Sequence, residues 1–113
     1  MRRIISSGSV KAISLDREQV LRRLKEISEE ASRAFPEIVE VRLFGSLAKG
    51  EETGLSDADL LIVTERGMED PVERMKPYFR FFSERLDIGI DMIVATEREA
   101  GSIKETLGYS TLL

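Results

Sequence analysis

The chain has 113 residues, 42% of them hydrophobic, with no Cys and no His and a net charge of −4. That bounds it to one domain spanning residues 1–113 and excludes disulfides, thiolate zinc sites and imidazole catalysis. A charged fraction of 34% with no Asn and a single Gln suggests a thermophilic source, and the acidic balance argues against broad binding to nucleic acid.

No apolar run approaches the roughly 20 residues that span a bilayer, and Met1-Arg2-Arg3-Ile4-Ile5 lacks the apolar core of a signal peptide. No membrane partner is expected, and a cytoplasmic setting is the default. In chain order, residues 1–14 read as a flexible or strand-forming arm, with Ser6-Ser7-Gly8-Ser9 as a turn. A helix follows from Asp16, whose side chain is a good N-cap, with Gln19 placed to complete a capping box. Val20, Leu24, Ile27, Ala31 and Ala34 recur at helical spacing, so one face is buried. Pro36 ends it.

Ile38 to Phe44 alternates and reads as a strand, with Val39, Val41 and Leu43 on one face. Gly45-Ser46 breaks it, Leu47 to Lys49 fits one helical turn, and residues 51–55 read as a surface loop. A second, centrally placed strand is expected over Asp57 to Val63. Asp70-Pro71 opens a further helix, which Pro77 should kink or split. Its stripe of Val72, Met75, Phe79 and Phe82 follows packing spacing, so it reads as core rather than as a platform for bases. Asp87 to Val94 reads as a third strand, with Asp87 solvated at its entrance. Thr96 and Glu99 form a capping box for a last helix to about Glu105, and a short apolar tail ends at Leu113.

The chemistry gathers between Leu43 and Val63. Asp57 and Asp59 share one face of a strand, about 7 Å apart along it. Such carboxylates repel unless a cation lies between them, and no basic residue separates them, so a hard divalent ion such as magnesium suits the pair. Gly45-Ser46 can offer N–H groups and a hydroxyl to phosphate. Asp91 lies between Ile90 and Met92, where an unpartnered carboxylate is costly to bury. If the second and third strands are neighbours, Asp91 converges on Asp57 and Asp59. On residue type alone the two aspartates would be a solvated strand entrance. The Gly-Ser spacing, the apolar strand behind them and Asp91 weigh against that.

Gly45-Ser46, ten residues, then Asp57-x-Asp59 resembles the signature of the minimal nucleotidyltransferases, small members of the polymerase-beta-type superfamily. Leu43-Phe44, Ala48-Lys49-Gly50, Ser56 and Asp91-Met92-Ile93-Val94 agree with it, from Ile38 to about Val94. The resemblance implies an α+β fold, a small mixed sheet with helices mainly on one face. It implies Asp57, Asp59 and Asp91 as catalytic, metal-holding carboxylates for two Mg2+ ions. Gly45, Ser46, Lys49 and Ser56 would bind ATP; Lys49 stands where the family often has Arg. It further implies transfer of AMP from ATP to a hydroxyl on a partner toxin with a HEPN domain. The alternative is a non-catalytic antitoxin that neutralises its partner by contact alone. A homo-oligomer stays open.

Overall fold

A computed structural model describes residues 2–7, 10–51, 57–67 and 69–113, with side chains from residue 16 onward. Strands β1 (Arg2–Ser7) and β2 (Val10–Leu15) pair antiparallel in a sheet of their own. Ser6 and Ser7, expected in a turn, therefore belong to β1, and Gly8 and Ser9 lie outside the described residues.

Helix α1 (Arg17–Ala34) starts on Asp16, whose carboxylate accepts from the Gln19 N–H at 3.2 Å. Val20, Leu24, Ile27 and Ala31 of its apolar stripe are fully buried, as the helical spacing requires, whereas Ala34 in the last turn, expected on the same face, is exposed. It is followed by β3 (Ile38–Phe44), the single turn α2 (Gly45–Lys49) and β4 (Ala58–Thr64). Helix α3 (Pro71–Ser83) and β5 (Ile90–Thr96) come next. Helix α4 (Glu97–Leu107) and β6 (Ser110–Leu112) complete the chain.

The main sheet has the order β5-β4-β3-β6. β4 is parallel to β5 and antiparallel to β3, and β3 is antiparallel to β6. Parallel neighbours cannot be joined by a tight turn, and α3 makes the crossover from β4 to β5. β4 is sealed on both faces, as its unbroken apolar run Leu60-Leu61-Ile62-Val63 demands.

The two faces carry separate cores. Val41, Leu43, Leu60, Ile62 and Val94 pack with Val20, Leu24 and Ile27 of α1 and with Tyr78 and Phe82 of α3. Leu61, Val63 and Ala95 pack on the other side against Ala100, Ile103 and Leu107 of α4, with Phe44 joining them. This is the α+β fold with a mixed sheet that the sequence implies. The two long helices cover one face and α4 covers part of the other. Among the described residues no helix is long and apolar enough to cross a membrane.

The structure departs from the sequence reading at several places: β4 begins at Ala58 rather than Asp57. Val72 and Phe79 of the α3 stripe, expected in the core, are exposed because only the side of α3 carrying Tyr78 and Phe82 meets the sheet. The strand holding Asp91 begins at Ile90, so Asp87 is an exposed residue in the bend before it. Pro77 neither splits nor ends α3. The carbonyl it leaves unpaired is that of Glu73, four residues back on the exposed side of the helix, where water can serve it. The tail beyond Gly108 is strand β6, paired through Arg42↔Leu112 and Phe44↔Ser110.

Candidate active site

Register brings the site together. Phe44 of β3 lies opposite Asp59 of β4, and Asp59 lies opposite Asp91 of β5. Cross-strand partners share a face and stand about 5 Å apart. Asp59 and Asp91 therefore sit side by side on the face opposite α1 and α3. Asp57 lies one residue before β4 and is exposed. The Ala58 N–H beside it donates to the Gly89 carbonyl at 2.8 Å, which ties the start of β4 to the approach to β5.

Gly45 directly follows Phe44, so it arrives beside Asp59. Its φ of +75° favours glycine, and a Cβ there would run into the Asp59 carboxylate, whose Cγ would lie at 3.0 Å. The backbone at the start of α2 thus approaches this carboxylate as no other residue type would permit. Ser46 and Lys49 occupy α2, Ser46 half-buried and Lys49 exposed at its end. Arg17 steadies this turn from α1, donating from Nε to the Leu47 carbonyl at 3.1 Å and from Nη2 to that of Ala48 at 3.5 Å. Ser56 lies outside the described residues.

The electrostatics are those of crowded like charge. Burial pushes the Asp59 carboxyl above its ordinary range, and the charges of Asp91 and then Asp57 push it the same way. A side-chain hydrogen bond with Asp91 acts on Asp59 in the same direction. Among the described residues no Lys or Arg forms an ion pair with any of the three. A divalent cation would relieve this repulsion, and an all-oxygen donor set suits magnesium. The three do not form a closed cage; among the described residues no group of three His, Cys, Asp or Glu is set for a metal ion. Magnesium does not require one, because it is commonly held by one or two carboxylates completed by water and substrate phosphates.

The sequence reading left several supporting groups unassigned. Arg42, on the same sheet face as Phe44, donates to Ser110 Oγ at 2.8 Å and pairs with Glu40 at 3.9 Å, so it braces β3 against β6. Glu40 is also paired with Lys104 of α4. No local pattern announces Arg17 or Ser110, because each contact spans 30 or more residues. A cavity of about 450 Å3 lined by Phe35, Pro77, Phe81 and Arg85 belongs to the helical side and contains none of the carboxylates.

The sheet sets Gly-Ser at the end of one strand, Asp-x-Asp at the start of the next and a third Asp on its parallel neighbour. Residues 24–107 match the family model described as nucleotidyltransferase domain, and the chain belongs to that family. The chain is 32% identical to a protein from Sulfolobus solfataricus whose crystal structure is described as that of a candidate nucleotidyltransferase. The two superpose with a TM-score of 0.67 over 85% of this chain and 80% of that one. A structure described as a toxin–antitoxin with AMP-PNP shares the fold, with a TM-score of 0.51 and 18% identity over 85% of this chain and 72% of that one. No curated protein matches.

Proposed function

We propose that the chain is a magnesium-dependent nucleotidyltransferase that moves AMP from ATP to a hydroxyl on a partner protein. The observation that carries this is the pairing of Asp59 with Asp91 on adjacent parallel strands, with Gly45 pressed against Asp59. Asp57, Asp59 and Asp91 would hold the metal, which would supply positive charge to the triphosphate. Gly45 and Ser46 offer an N–H and a hydroxyl to the terminal phosphates, and Lys49 adds a point charge at the rim. Ser56 belongs to the same nucleotide-binding set. The exposed carboxylate of Asp91 takes the proton of the acceptor hydroxyl. The hydroxyl oxygen then bonds to the α-phosphorus, the bond to the bridging oxygen breaks, and pyrophosphate leaves with its electron pair.

The acceptor is a macromolecule because the carboxylates lie on an exposed strand entrance, whereas small-molecule sites enclose most of their ligand. A HEPN-type toxin presenting a tyrosine fits this, and the likeness of fold to a structure described as a toxin–antitoxin with AMP-PNP is in keeping with a toxin partner and an adenine nucleotide. The proposed setting is the cytoplasm, the default for a sequence without cysteine. The test is to incubate the chain with ATP, magnesium and the product of the neighbouring gene and to measure the intact mass of each protein. An AMP adduct on the neighbour is expected. Neutralisation of the neighbour without any adduct would favour the non-catalytic antitoxin, and labelling of RNA ends instead would contradict the proposed acceptor.

A further inference from the structure

Gly89 lies between α3 and β5, one residue before Ile90. Glycine is required where φ is positive, and among the described residues that holds at Gly45, Gly50 and Gly108 but not at Gly89. Its backbone is one that any residue adopts. What restricts the position is space. A Cβ built on Gly89 would fall on Asp57, within overlap of Oδ1 and 2.9 Å from Cγ. At the same place the Gly89 carbonyl accepts the Ala58 N–H at 2.8 Å, which fixes the main chain next to Asp57. Asp57 is thus held by its neighbour's backbone while its carboxylate rests over a bare Cα.

We infer that Gly89 is a positioning residue whose missing side chain lets the Asp57 carboxylate lie against β5, on the side where Asp59 and Asp91 face each other. This rests on the reading of Asp57 as a metal ligand. Asp57 and Gly89 are both exposed, so a methyl group at 89 turns the carboxylate away without disturbing a core. The cost falls on ligand placement rather than on folding, in the way that groups supporting a metal ligand act through its orientation.

The test measures Mn2+ affinity by electron paramagnetic resonance in the presence of α,β-methylene ATP, whose α–β bridge resists cleavage. It compares the unmodified chain, Gly89→Ala, Asp57→Asn and the double variant. Gly101→Ala serves as a control, since a Cβ there meets nothing within 4 Å. Gly89→Ala should weaken Mn2+ binding by about tenfold or more at an unchanged melting temperature. In the Asp57→Asn background the same change should add nothing, because its effect passes through that carboxylate. Full affinity in Gly89→Ala beside a weakened Asp57→Asn would overturn the inference alone, as would a loss that persists in the double variant. If Asp57→Asn bound Mn2+ as well as the unmodified chain, the ligand reading would fall and the inference with it.

Discussion

Asp59 sits in conflict with its surroundings. It is half-buried, it faces Asp91 across the strand pair, and its carboxyl is raised by burial and by two like charges. Asp59→Asn removes the repulsion, so the metal-free protein should melt at a higher temperature than the unmodified chain in excess chelator. Transfer should fall by more than about a hundredfold, since loss of a single donor to developing charge already costs that much. Ser46→Ala should cost about tenfold to a few hundredfold on the same argument. Both are read from initial rates of AMP transfer beside thermal melts, and an Asp59→Asn protein with full activity would remove the residue from the mechanism. Glu99 shows the opposite behaviour. The Thr96 N–H, then the Arg74 guanidinium at 2.7 Å, hold its carboxyl down at about 2. A lowered carboxyl contributes stability above its ordinary pKa and loses it as pH falls through the folded value. Acid titration of Glu99→Gln should therefore show a smaller loss of stability between about pH 4.5 and 2 than the unmodified chain.

At the scale of elements, the local signals were legible and the long-range ones were not. Asp16, the Asp70-Pro71 pair and the Thr96/Glu99 box mark helix starts because each cap is completed within three residues. The alternation of Ile38 to Phe44 and the apolar run after Asp59 mark β3 and β4 because burial on one or both faces imposes those patterns. β6 is three residues long, and it is a strand only because β3 offers it an edge. The sequence pointed to Asp57, Asp59 and Asp91 through spacing. The roles of Arg17 and Gly89 depend on tertiary approach and leave no local trace. Phe82 shows what holds the layers together: it is fully buried between α3 and the sheet. Phe82→Ala should destabilise by about 3–5 kcal/mol in denaturant titration, with an unchanged transition slope. A loss below about 1 kcal/mol would mean that α3 does not seal this face as described.

For the molecule as a whole, the sheet is a platform with two unequal faces. α1 and α3 cover most of one face, while among the described residues α4 packs on Leu61, Val63 and Ala95 and not at the end carrying Asp59 and Asp91. Arg74 with Glu99 and Lys104 with Glu40 tie α4 to α3 and β3. A ligand that binds only the folded chain stabilises it by mass action. Magnesium and ATP together should therefore raise the melting temperature more than either does alone, and chelator should cancel the gain. The most direct measurement is a crystal structure with Mn2+ and α,β-methylene ATP, with the metal located by its anomalous scattering. The account predicts manganese within about 2.0–2.6 Å of the Asp57 and Asp59 carboxylates, with the triphosphate lying along Gly45-Ser46. Manganese or nucleotide bound away from these carboxylates, with the Asp59–Asp91 pair left uncoordinated, would contradict it.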